Sequence, residues 1–165
     1  MLKHVLVPLD GSPLAEAAAE VLWKVISTDT HVTLLTVVHY PSVAIYDYEL
    51  AKALAPTYAS KVTEAITRAK NYLQRIAMDL RVEGFNVQLV ATFGDDAASI
   101  INTLARELQV DAIVMGTHGR SGISRWVFGS VTGNVLSGAC CPVFVVPNRE
   151  RERVVAAESS EINYG

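Results

Sequence analysis

Cysteine is nearly absent from this chain, and the only two, Cys140 and Cys141, are neighbours. Adjacent residues rarely meet disulfide geometry, and no C-x-x-C or paired metal-ligand spacing occurs, so a disulfide framework and a structural zinc site are excluded. The pair reads instead as two small apolar residues ahead of a buried strand, in a reducing compartment. Positive charge is also in short supply. Fourteen Lys and Arg stand against seventeen Asp and Glu, a formal net charge of −3, and a nucleic-acid footprint needs a basic face. No apolar run approaches the ~18 residues that span a bilayer. Residues 1–4 before the first apolar run are too short for a secretory leader, so a cytoplasmic protein with no membrane partner is expected. Two phosphate-binding fingerprints are missing: there is no G-x-x-x-x-G-K-[ST], and no G-x-G-x-x-G follows the first strand. His4, His31 and His39 are isolated and carry no metal spacing.

What the chain does contain is a globular balance. Half of its 165 residues are apolar and 19% are charged, which suits one domain with a proper core. Short apolar runs alternate with helical stripes. Residues 5–7 form a brief strand, followed by the turn Pro8-Leu9-Asp10-Gly11 and a helix start with Ser12 as N-cap and Pro13 at the first helical position. Ala18, Leu22, Val25 and Ile26 recur at helical spacing. A β-branched strand at 31–38 precedes an irregular stretch at 39–57 that holds Pro41, Pro56, Tyr40, Tyr46 and Tyr48. The next helix shows the stripe Val62, Ile66, Ala69, Leu73, Ile76, Leu80 and stops at Gly84.

Residues 85–92 alternate apolar with polar, as an edge or half-covered strand does. Asp95 or Asp96 caps a helix facing inward through Ala97, Ile100, Ile101, Leu104 and Leu108, and 111–116 is a short buried strand. A helix at 129–137 turns Val131, Val135 and Leu136 inward, and a last strand at 143–146 ends at Pro147. Residues 148–165 are polar and read as a solvated tail, which leaves 1–147 as the domain. Four strand–helix repeats and a final strand imply a parallel sheet with helices on both faces and right-handed crossovers. Ligands bind such sheets at the carboxyl ends of the strands, where the strand order reverses. With the order 3-2-1-4-5, the last strand, Val143–Val146, is an apolar edge and a route to a homodimer.

The loop at 116–132 carries the chemistry. Gly116 and Gly119 allow positive φ and close backbone approach. Gly129 opens a helix, so the N–H groups of Ser130, Val131 and Thr132 have no intrahelical partner. With the Ser130 and Thr132 hydroxyls and the helix dipole they suit a phosphate. The dipole supplies only ~0.3–1 kcal/mol, so charge-assisted hydrogen bonds must carry the affinity. Gly133 is a weak helix former just inside this cap. His118 reads as a loop histidine touching phosphate or solvent, since no carboxylate partner stands beside it in sequence. Arg120 and Arg125 reach phosphate or are solvated, and Trp126 and Phe128 read as apolar anchors of the loop. Glycine content alone fits a mobile surface loop equally well.

The spacing is more specific. Gly116, two residues, Gly119, nine residues, then Gly129-Ser130 resembles the ATP-binding signature G-x2-G-x9-G-[ST] of the universal stress protein family. The resemblance extends through Val-Pro-Leu-Asp-Gly-Ser (7–12), Leu-Leu-Thr-Val-Val (34–38), Val-Met-Gly-Thr-His-Gly (114–119), Gly-Ser-Val-Thr (129–132) and Cys-Pro-Val-Phe-Val-Val (141–146). It implies a three-layer sandwich around a five-stranded parallel sheet, a Rossmann-like, adenine nucleotide alpha-hydrolase-like architecture, and a dimer. By position, Asp10 looks like the carboxylate that accepts from ribose hydroxyls, and Pro8 like part of the adenine wall. Val37 looks like the residue whose backbone reads the adenine edge. Met115 and Gly116 line the ribose side, Gly119 and Gly129 the phosphates, and Ser130, Val131 and Thr132 cap the phosphate chain. Asp10 also fits an ordinary turn aspartate that bonds its own backbone.

The expected function is therefore an adenine-nucleotide-responsive regulatory module, binding ATP, AMP or ADP. Mg²⁺ would come with ATP, because the chain offers no metal-ligand set of its own. The alternative is a slow ATP phosphohydrolase or phosphotransferase in the same pocket; phosphoryl transfer needs held Mg²⁺, a water-positioning group and cationic stabilisation. A third reading is a ligand-free dimeric interaction protein in which the glycines only serve packing. The protein partner is not legible.

Overall fold

The computed structural model describes residues 2–39, 48–117 and 128–146. Five strands run in the order β1 (His4–Pro8), β2 (His31–Val38), β3 (Asn86–Phe93), β4 (Ala112–Gly116) and β5 (Val143–Val146) along the chain, separated by α1 (Pro13–Trp23), α2 (Tyr48–Val82), α3 (Ala97–Glu107) and α4 (Ser130–Gly138). Every described strand pairing is parallel. The spatial order is β3-β2-β1-β4-β5, so chain direction across the sheet reverses between β1 and β4. This is the expected architecture.

Alternation along the central strands builds two cores. Val5, Val7, Val32, Leu34, Ala112 and Val114 face α1 and α2, against Ala15, Ala19, Leu22, Leu73, Ala77 and Leu80. Leu6, Leu35, Ile113 and Met115 face α3 and α4, against Ala98, Ile101, Ala105 and Val135. Strands buried on both faces are why β1, β2 and β4 read as near-continuous apolar runs rather than alternating ones. Gly84 ends the second crossover at φ +97, a conformation that glycine adopts without strain.

Several expectations fail, each for a local reason. The stretch 39–57 is not irregular throughout, since α2 begins at Tyr48 and carries Pro56 inside a helix of 35 residues. Proline removes one N–H bond, and on the exposed side of this long helix the ladder continues around it. Tyr40, Pro41 and Tyr46 lie outside the described residues. In α1, Ala18 and Leu22 are buried, but the helix ends at Trp23 and leaves Val25 74% exposed. In α3 the buried positions are Ala98, Ile101, Asn102 and Ala105, one step round from the expected stripe; Leu104 and Leu108 flank the core.

In α4 the buried residues are Thr132 and Val135, while Val131 and Leu136 are 40% and 38% exposed. The helix is rotated so that its single polar inward residue finds a partner, as described below. Cys140 is exposed and Cys141 half-buried, so the pair is not simply core. Burial, followed by the neighbouring Cys140, pushes the Cys141 thiol up. β5 does lie at a sheet edge, with Phe144 52% exposed.

Candidate functional site

All five strands deliver their carboxyl ends to one side of the sheet, and the helix starts gather there. Three of those starts show how the sequence treats its unpaired amides. Ser12 caps α1 with its own hydroxyl, which accepts from the Ala15 N–H at 3.2 Å. Asp96 caps α3 in the same way, its carboxylate accepting from Ser99 N–H at 3.1 Å. α4 differs: its N-cap is Gly129, which has no side chain to offer and makes no cap bond. The Gly129 N–H donates to the Thr117 carbonyl at 3.0 Å and Gly133 N–H returns to the Gly129 carbonyl at 2.9 Å. That leaves the N–H groups of Ser130, Val131 and Thr132 with no partner among the described residues. Buried or not, such donors are normally satisfied by something.

Thr132 is placed differently from the expectation. Its hydroxyl is buried and donates to the Gly116 carbonyl at 3.1 Å, so the side chain ties α4 to the end of β4 and only its amide faces outward. Gly116 is extended strand rather than positive-φ turn. The Met115 side chain is buried among Leu6, Leu35 and Ile113, and its backbone lies in register with Val145 of β5, so Met115 is not offered to a ligand as expected. Phe128 is half-exposed. His118, Gly119, Arg120, Arg125 and Trp126 lie outside the described residues.

At the other end, register exposes a peptide edge. β1 stops at Pro8 opposite Leu35, and Leu9 N–H closes on the Leu35 carbonyl at 2.8 Å. Alternate residues of a strand present their peptide groups to the same side. Leu35 faces β1 and Val38 faces β3, where its carbonyl accepts from Gly94 N–H at 3.1 Å. Val37 therefore turns its N–H and C=O toward the space beyond the end of β1. The Leu9 carbonyl that would next meet it is taken by the Thr36 hydroxyl at 2.9 Å. A donor and an acceptor stand side by side there. Asp10 is half-buried at the same strand end, with Oδ1 accepting from Ser12 N–H at 3.0 Å, so part of the carboxylate serves the turn.

Between these two ends lies a cavity of about 460 Å³ lined by Val37, His39, Gly94, Asp95, Asp96, Ala97, Ala98, Ser130, Val131 and Asn134. Its volume falls within the range of small-molecule sites. The β3–α3 wall was invisible to sequence reasoning as part of the site; Asp95 and Asp96 looked only like capping residues. Asp95 Oδ1 pairs with His39 Nδ1 at 3.4 Å, both side chains largely solvent-facing, a pairing across two strand ends that no local pattern announces.

Fold and site together define an open α/β domain with a cavity at the carboxyl ends of a parallel sheet. Residues 1–147 match the sequence profile of the universal stress protein family. The chain is 29% identical over 159 residues to the universal stress protein MJ0577 of Methanocaldococcus jannaschii, covering 90% of this chain and 97% of that one. It is 31% identical over 152 residues to a putative universal stress protein of Staphylococcus haemolyticus, covering 90% and 86%. The solved structure of MJ0577 superposes with a TM-score of 0.75 at 28% identity, over 88% of this chain and 96% of that one. A universal stress protein solved in complex with cAMP shares the fold with a TM-score of 0.57 at 20% identity, over 88% and 97%. The chain belongs to the universal stress protein family. Among the described residues, no helix is long and apolar enough to cross a membrane.

Proposed function

We propose that this chain is an adenine-nucleotide-binding regulatory module, with ATP, ADP or AMP as ligand. The observation that carries the reading is the contrast between caps: α1 and α3 close their own N-termini with side chains, whereas α4 is left open by Gly129. An unclosed helix start with a side-chain-free N-cap is a seat for a phosphate. Val37 supports the other half of the ligand. Its outward N–H and C=O match the acceptor and donor that adenine carries on one edge, and Asp10 at the neighbouring strand end suits ribose hydroxyls. Gly119 and the loop residues His118 and Arg120 complete the phosphate side on the strength of the glycine spacing. A relative solved with cAMP bears an adenine nucleotide of the same class. Mg²⁺ is assigned as the companion of a bound ATP.

The module acts in the cytoplasm as a homodimer through the exposed edge of Val143–Val146, with 148–165 as an appended polar tail; the half-exposed Phe144 supports that contact. Nucleotide occupancy would pass the signal on by shifting the domain between two states, since a ligand shifts an equilibrium by its differential affinity for two states. Titration calorimetry with ATP tests the reading. A micromolar dissociation constant, about −8 kcal/mol, is expected for the native chain, with loss of binding in Gly129→Leu. The backbone at Gly129 (φ −55, ψ 155) is one that any L residue adopts, so Gly129→Leu imposes no backbone strain. Unaltered affinity in Gly129→Leu overturns the reading.

A further inference from the structure

The two helix starts that border the cavity have opposite electrical character. The α4 end presents unpartnered amides and no acid in its first turn. The α3 end is already closed by the Asp96 carboxylate, and Asp95 stands beside it on the same wall. An anion seated at α3 would meet two carboxylates; one seated at α4 meets only donors. The cavity is therefore polarised, and a ligand with an anionic end and a donor-bearing end can enter in one orientation only.

Asp95 belongs to the far end of that axis. Gly94 N–H bonds to the carbonyl of Val38, next to Val37, and His39 on the same strand end holds Asp95 Oδ1 at 3.4 Å. Asp96 spends Oδ1 on the α3 cap, whereas Asp95 lines the cavity with Oδ1 paired only to the exposed His39. A ligand that runs from Ser130 and Val131 to Val37 passes along this wall and brings its base to Asp95. An ionised carboxylate only accepts hydrogen bonds.

We infer that Asp95 is a specificity residue of this site: its carboxylate accepts from an exocyclic amino group on the base and repels a keto oxygen at the same position. The inference rests on the nucleotide reading above and extends it from phosphate seating to base selection. Site-built hydrogen bonds of this kind discriminate strongly, because the analogue that lacks the donor leaves a charged acceptor unpaired.

The experiment is a paired titration of ATP against ITP, which differ in carrying an amino group or a keto oxygen at that ring position. The native chain should prefer ATP by about tenfold or more, the loss expected when a charged hydrogen-bond partner goes unmet. Asp95→Asn offers both donor and acceptor, so it should narrow the preference by weakening ATP and strengthening ITP, leaving only the share that the Val37 N–H and C=O supply. His39→Ala removes the ion pair but keeps the carboxylate, and should retain the preference. An ATP-to-ITP ratio unchanged in Asp95→Asn, or absent in the native chain, overturns the assignment while leaving the phosphate seat standing. Failure of the nucleotide reading is distinct: the native chain then binds neither nucleotide, or Gly129→Leu leaves both affinities unaltered.

Discussion

Gly129→Asp should make the protein more stable and nearly abolish nucleotide binding, two changes in opposite directions from one substitution. The backbone at this N-cap already has the extended geometry of a side-chain cap, φ −55 and ψ 155. A carboxylate placed there can accept from the free amides of Val131 or Thr132. Relative to glycine, a capping aspartate gains a few tenths of a kcal/mol, and its charge at the positive end of the helix dipole adds ~0.3–1 kcal/mol. A gain near 1 kcal/mol in a domain of this size raises Tm by about 2–4 °C. The cost falls on the ligand. A phosphate loses at least one charge-assisted hydrogen bond, ~1.5–3 kcal/mol. It also faces a fixed negative charge, for which about 4 kcal/mol of repulsion is the scale at 4 Å and an effective dielectric of 20. Even half of that repulsion brings the loss above about 3 kcal/mol, a factor of roughly 100 in affinity. Differential scanning calorimetry and ATP titration on the same preparation read both effects. A variant that binds ATP like the native chain, or that melts at a lower temperature, refutes the idea that these amides are held open for a ligand.

Gly133→Ala should stabilise the fold by about 0.5–1 kcal/mol, because alanine is the better helix former and an added Cβ meets nothing within 4 Å; the urea midpoint measures it. Thr132→Val should cost about 1–3 kcal/mol by leaving the buried Gly116 carbonyl without its donor, and Thr132→Ser should restore most of it in the same denaturation assay. The His4 ring is held below its usual 6.5 by burial and then by His31, so the unfolded chain takes up the proton first. The neutral-ring stability is fully present above pH 6.5 and falls as pH drops through that value. Melting curves from pH 7.5 to 5 should show this decline, and His4→Asn should flatten it.

The order of elements was legible because each strand is buried by its own sequence and each crossover has its own punctuation. Val5 to Val7, the β-branched run at β2 and the apolar β4 can satisfy their side chains only inside a two-faced sheet. Ser12-Pro13 and Gly84 mark their helix ends by local chemistry that needs no partner. The spacing of Gly116, Gly119 and Gly129 pointed to the open helix start, which is a property of one residue lacking a side chain. Rotation of α3 and α4 was not legible, since a short helix with apolar residues on more than one side takes its face from what it packs against. The persistence of α2 through Pro56 is likewise a matter of length and solvent exposure, which outweigh one missing hydrogen bond.

By itself, then, the sequence determined a parallel α/β sheet with ligand chemistry at its carboxyl edge, through periodicity and caps that act over a few residues. Only the tertiary structure decided which peptide edge stays open at Val37, that Thr132 turns inward to Gly116, and that His39 and Asp95 meet across the mouth of the cavity. Those depend on strand register and helix rotation, which long-range packing sets and no local pattern encodes.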